Sequence, residues 1–167
     1  RLLPASRLVF SEGVEVTVLP RDRIGWATLC RLLSKGRLRT KKGACVLHID
    51  DLLDRHAGLE LLLHAPRRVT KGWMQAAERL ATLNPWLCLS PLYDGQDTAR
   101  LNAHTRLAKA LGLETLASAR PLMHHGARRR LTDVLTCVRE SLTIDAIGRY
   151  AQANAEQPLR SPKEMEK

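Results

Sequence analysis

Apolar positions in this chain fall into short runs divided by turn-forming residues, and their period shifts between two and about 3.6. Residues 7–10 and 14–19 are apolar and rich in β-branched side chains, split by Ser11, Glu12 and Gly13. A three-residue connection ending in glycine predicts a hairpin with Gly13 in the left-handed conformation. Pro20 stops the second strand. Asp22 can then cap a helix with apolar positions Ile24, Ala27, Leu29, Leu32 and Leu33, ending near Gly36. The basic stretch 37–42, bracketed by Gly36 and Gly43, predicts a loop. Asp50 or Asp51 opens a short helix through Leu52, Leu53 and His56, and Gly58 closes it. Residues 59–63 form a continuous apolar run, the mark of a strand buried on both faces.

The second half repeats this rhythm. Thr70 precedes a helix through Trp73, Met74, Ala77 and Leu80, broken by Asn84 and Pro85. Residues 86–89 read as another buried strand. Asp94 and Gly95 turn into a long helix over 97–111, Gly112 caps it, and 114–117 is a strand. A loop rich in His, Gly and Arg covers 121–130. Thr132 caps a helix through Val134, Leu135, Val138 and Arg139, and a further short helix starts near Thr143 or Asp145. Strands alternating with helices predict an α/β layer or barrel with a largely parallel sheet. The domain spans 1–151, and the polar residues 152–167 form a loose extension.

The 167 residues suffice for one domain with a real core. Hydrophobic residues make up 44% and aromatics only 4%, so Leu, Ala and Val must build that core. Lys and Arg number 27 against 17 acids, a net charge of +10, which suits a polyanionic partner. No apolar run approaches the ~18 residues of a membrane span. The chain starts at Arg1 without an initiator methionine, which reads as part of something longer. Cys30, Cys45, Cys88 and Cys137 lie far apart among apolar neighbours. Buried, reduced thiols are expected, which implies a cytoplasmic protein.

Reactive groups in a parallel α/β fold belong at the carboxyl ends of strands. Those ends hold His64, Arg67 and Arg68, then Ser90, then Ser118, Arg120, His124 and His125, with almost no carboxylate. A hydrolytic metal site needs several His, Asp and Glu ligands and anions to balance the cation. His124 and His125 are adjacent, so on an extended segment they point opposite ways. His64 reads as a satisfied strand-end histidine and His104 as an exposed one. Ser90, Ser118 and the cysteines lack the setting of a nucleophile, and the usual nucleotide-binding glycine loops are absent. Two basic clusters stand out: Arg37, Arg39, Lys41 and Lys42, and Arg128, Arg129 and Arg130. Either can contact phosphates, but without interleaved aromatics neither supports base stacking. The other reading is a solvated basic face, or a patch that meets another domain.

One segment is specific. Residues 127–139, Ala-Arg-Arg-Arg-Leu-Thr-Asp-Val-Leu-Thr-Cys-Val-Arg, resemble a segment in the PHP domain of bacterial C-family DNA polymerases. These are the polymerase III alpha subunits, and the likeness is to their error-prone, damage-inducible branch. Residues 3–10 resemble the family's first Pro-Gly strand motif, residues 20–33 the helix after it, and Asp50-Asp51-Leu52-Leu53 and Asn154-Ala155-Glu156 also fit. The resemblance covers nearly the whole chain. It implies a PHP-like distorted (β/α) barrel, incomplete at the N-terminus.

The departures from the pattern carry equal weight. Metal-binding PHP domains hold a Glu where Arg7 stands, and an Asp and a His where Arg120 and Leu122 stand. Of that motif only His124 matches a histidine. The early His-x-His and Thr-Asp-His motifs are not in this sequence. Cations in place of ligand carboxylates repel a divalent metal, so no metal, cofactor or catalytic residue is expected here. The resemblance implies a non-catalytic region of a DNA-directed polymerase that works in translesion synthesis and repair. Its partners would be DNA, the remaining polymerase domains, or replication and damage-response subunits. Two other readings stay open: a stand-alone metal-dependent phosphoesterase of the PHP superfamily, and a small basic nucleic-acid-binding protein.

Overall fold

The computed structural model describes residues 3–166; the start at Arg1 and Leu2 and the final Lys167 lie outside the described residues. Strand β1 (Ser6–Val9) pairs antiparallel with β2 (Glu15–Pro20), with Ser6 opposite Val18 and Val9 opposite Glu15. Gly13 has φ +77°, as the hairpin pattern predicts, and its N–H donates to the Phe10 carbonyl at 2.9 Å. Along β2, Val16 and Val18 are buried while Glu15, Thr17 and Leu19 are half-buried, the two-residue period of a strand on a core.

Strand β3 (Leu59–His64) runs antiparallel to β2 over its full length, from Glu15 opposite His64 to Pro20 opposite Leu59. Strand β4 (Trp86–Leu89) is parallel to β3, and β5 (Thr115–Ala117) follows it. The sheet is therefore five-stranded, mixed and open, in the order β1-β2-β3-β4-β5. The α/β class predicted from the sequence is observed. The largely parallel sheet is not, and among the described residues the strands do not close into a barrel. Alternation reports which face of a strand is buried, and it is silent on the direction of the neighbouring strand.

Helix α1 (Arg23–Leu38) starts where Asp22 predicts, its carboxylate accepting the Gly25 N–H at 2.7 Å. Its inner face is Gly25, Thr28, Leu29, Leu32 and Gly36, while Ile24, expected in the core, is exposed. Gly36 does not end the helix. A Cβ there would lie 2.7 Å from the Cys45 sulfur, and one at Gly25 would lie 2.0 Å from the Gly58 carbonyl oxygen. Both glycines permit close approach of neighbouring chain. The helix thus absorbs Arg37, and only the end of the basic stretch is a loop. Lys35 and Arg37 in the last turn face the negative end of the helix dipole.

Helices α2 (Ile49–Asp54) and α3 (Lys71–Ala81) precede and follow β3. Thr70 caps α3 as predicted, accepting from the Trp73 N–H at 3.2 Å. Helix α4 (Asp97–Leu111) ends at Gly112, φ +68°, with the Leu113 N–H bonded to the Ala108 carbonyl. Helix α5 (Arg129–Glu140) begins three residues before the predicted Thr132 cap. His125 instead accepts from the Ala127 N–H and opens a 3₁₀ turn (Gly126–Arg128) that leads into it. Two further 3₁₀ turns (Ile144–Ala146 and Gly148–Tyr150) and helix α6 (Pro162–Met165) complete the order. No helix of the described residues is long and apolar enough to cross a membrane.

The chain divides into two units. The first runs to Leu89 and includes Ala103–Leu116. It contains the contiguous apolar cluster of the described residues, with Leu8, Leu32, Ile49, Leu52, Leu63, Leu80 and Leu87 almost fully buried. His104, expected on the surface, is buried beside Ala108 one turn away. The second unit is Ser90–Asn102 with the residues from Ala117 on. Its ties are polar. Asn154 donates to the carbonyls of Leu92 and Tyr93, Asp133 accepts from the Gln152 N–H, and Met123 bridges to Pro158. Cys88 and Cys137 are buried, but Cys30 and Cys45 are exposed, which corrects the reading of four buried thiols. All four are free. Cys30 lies on α1 away from its inner face.

Candidate nucleic-acid interface

The first basic cluster is organised by one carboxylate that its local sequence pattern does not advertise. Asp51, in the first turn of α2, is 2% exposed. Its two oxygens accept both terminal nitrogens of Arg39, one at 2.8 Å and one closer, and Lys35 Nζ approaches to 2.6 Å. The His48 backbone N–H adds a bond at 3.0 Å. The Arg39 hydrogen bonds, with help from His48 and Lys35, hold the Asp51 carboxyl well below the usual carboxylate range against the opposing effect of burial. The same bond raises Arg39 above its ordinary value. A forked, two-point pair of this kind fixes geometry as well as charge.

Arg39 is therefore a strut that ties the end of α1 to the start of α2. Arg39, expected from the sequence as a phosphate contact, is instead committed to Asp51. Arg37, Lys41 and Lys42 are exposed. Arg31, Lys35 and Arg55 line a groove of about 390 Å³ between α1 and the end of α2. Arg31, Lys35 and Arg39 recur every four residues, a helical spacing that marks one charged face once the helix is known to continue past Gly36.

The second cluster sits in the second unit. Arg128 closes the 3₁₀ turn, and Arg129 and Arg130 begin α5. Arg129 reaches Asp133 at 3.7 Å, one turn along. Arg128 and Arg130 are exposed. The cluster adds charge to the positive end of the helix.

The positions matched to a PHP metal site do not all fall in one unit. Arg7 lies on β1 in the first, half-exposed and 3.6 Å from Glu15 across the hairpin. Arg120, Leu122 and His124 lie in the second. Arg120 has φ +43° and its N–H donates to the Ser118 hydroxyl at 3.2 Å. Leu122 and His124 are exposed, and Met123 between them is buried. His64 is satisfied at the end of β3, its Nε2 2.8 Å from the Thr17 hydroxyl. Among the described residues, no three His, Cys, Asp or Glu side chains gather as a metal would need.

No family profile matches the chain. Individual proteins do. The error-prone DNA polymerase of Rhodopseudomonas palustris (strain BisB5) is 45% identical over 170 residues, which is 99% of this chain and 15% of that protein. The error-prone DNA polymerase of Bradyrhizobium diazoefficiens is 40% identical over 177 residues, again 99% of this chain and 15% of the relative. Error-prone DNA polymerase 1 of Rhizobium meliloti is 39% identical over 170 residues, covering 97% and 15%. The chain thus spans about 15% of the length of the curated relatives it matches. It is homologous, over nearly its whole length, to one segment of the error-prone DNA polymerases.

Proposed function

We propose that this chain acts as a non-catalytic, PHP-like region of an error-prone DNA polymerase. The observation that carries the reading is 45% identity across 99% of the chain to part of such an enzyme. The whole polymerase would perform DNA-directed nucleotidyl transfer in translesion synthesis. Arg7 and Arg120, cations at positions matched to metal-ligating acids, support a region that has left hydrolysis behind. Its work is then to brace the polymerase and to present basic side chains to DNA phosphates or to partner subunits. Arg37, Lys41, Lys42, Arg128 and Arg130 are the exposed candidates.

The test is fluorescence anisotropy of a labelled DNA duplex titrated with the chain at several salt concentrations. Joint replacement of Arg37, Lys41 and Lys42 by Ala is expected to flatten the logarithmic salt dependence by about 0.9 per lost phosphate contact. Arg39→Ala is expected to leave that slope near the parent's. An affinity indifferent to salt would count against the DNA-contacting role. Elemental analysis finding one or more transition-metal ions per chain would count against the non-catalytic one.

A further inference from the structure

Helix α5 is built inside out. At about 100° per residue, Leu131, Val134, Leu135 and Val138 (i, i+3, i+4, i+7) share one face. That spacing is the signature of a helix facing a core, yet these residues are 52%, 45%, 60% and 73% exposed. The buried side of the same helix is Asp133, Thr136 and Cys137. Each of these is bonded within its own unit. Asp133 accepts from the Gln152 N–H at 2.9 Å, the Thr136 hydroxyl donates to the Thr132 carbonyl at 3.0 Å, and Cys137 Sγ lies 3.5 Å from the Thr143 carbonyl. The helix is thus seated by polar contacts and shows its apolar stripe to solvent.

We infer that the outward face of α5 is a docking surface, and that its occupant is an apolar surface on the rest of the polymerase polypeptide. The inference rests on the reading proposed above. The matched relatives place this segment inside a single chain, of which it makes up 15%. Most of such a polypeptide is therefore tethered beside the stripe at high effective concentration. A second copy fits less well. Stripe-to-stripe antiparallel pairing would bring Arg128, Arg129 and Arg130 of each copy toward Arg139 of the other, with only Asp133 and Glu140 as acids over 128–140. Nucleic acid fits least, since Leu and Val side chains offer phosphates nothing.

The experiment grafts this chain into the Rhodopseudomonas palustris (strain BisB5) polymerase in place of the segment it matches. Cys30 and Cys45 are changed to Ser, and single cysteines are introduced as Leu135→Cys, Val138→Cys and, as reference, Glu78→Cys on the exposed side of α3. Maleimide labelling is followed by mass spectrometry of the separate peptides, with primer extension as a second readout. The α5 cysteines are expected to react at least about tenfold more slowly than the reference, because only local opening exposes them. Equal rates in a graft that still extends primers would overturn the docking surface and leave the proposed function standing. Slow α5 labelling in a graft that extends no primer would support docking and count against the functional reading. Protection that disappears on dilution as a sedimenting dimer dissociates would assign the stripe to a second copy and overturn the inference. Should the graft not fold, labelling of the 167-residue chain with and without added segment-deleted polymerase replaces it, and absence of protection again overturns the inference.

Discussion

The two units of this chain hold themselves together by different physics. The first buries an apolar core of Leu, Val and Ile from strands and helices alike. In the second, the buried residues among those described are Met123, Asp133, Thr136 and Cys137, while Leu122, Leu131, Leu135, Val138 and Leu159 are among its exposed apolar side chains. What orders the second unit is a set of polar clasps. Arg100, with its side chain 10% exposed, pairs with Asp94 and Asp97. Asp97 also accepts the N–H groups of Leu92 and Tyr93, whose carbonyls take the Asn154 amide. Apolar burial stabilises in proportion to area, whereas polar clasps exchange water bonds for protein bonds with a small net gain. The difference teaches that the first unit is equipped to stand by itself, and that the second leaves its apolar surface for something else to cover.

The sharpest way to break this comparison is to truncate one leucine in each unit. Leu63 on β3 is fully buried, and Leu63→Ala is expected to cost about 2–5 kcal/mol in urea denaturation of the chain. Leu135→Ala on α5 is expected to change stability by less than about 0.5 kcal/mol. Comparable losses would erase the distinction. Next in size is Arg100→Ala, which leaves Asp94 and Asp97 without their shared guanidinium and is expected to cost about 2 kcal/mol locally. Residue-resolved NMR is expected to show the shifts confined to 90–102 and the neighbourhood of Asn154, with β2 and β3 unmoved. A global unfolding transition moved by that amount would mean that the clasp belongs to the main core.

The smallest effect is the pH response of the Asp51 pair. An unfolded Asp titrates near 3.9, and Arg39 keeps folded Asp51 below that value. Between those two values the unfolded chain binds a proton that the folded chain does not, so acid favours unfolding. The stabilisation is present above about pH 4 and declines as pH falls toward the folded value. Asp51→Asn is expected to flatten this decline, and Arg39→Ala to flatten it as well, because without its forked partner the Asp51 carboxyl moves back toward its ordinary value. Chemical denaturation at a series of pH values checks both.

The local code was legible wherever a single turn decides the outcome. Asp22, Thr70, Gly13 and Gly112 announced a cap, a second cap, a hairpin and a helix end, because each acts on backbone within a few residues. Pairings between distant residues were not legible. Gly36 reads as a helix end until Cys45 and Leu47 are found pressed against it. Arg39 reads as a free cation until Asp51, twelve residues on, is found to hold it. His104 reads as exposed because helix α4 carries a weak apolar pattern, and burial there is set by what packs on it. The two basic clusters were visible as charge, but which cations remain free depended on these long-range partners.

The contrast between the units meets its most direct test in amide hydrogen exchange of the chain under native conditions. Amides of β2 and β3, which belong to the apolar core, are expected to exchange only with global unfolding. Amides in α5 and in 152–159 are expected to exchange at least about tenfold faster, through local opening of the polar clasps. Equal protection in α5 and β3 would contradict the account, because it would mean that the second unit shares the stability of the first without a core of its own.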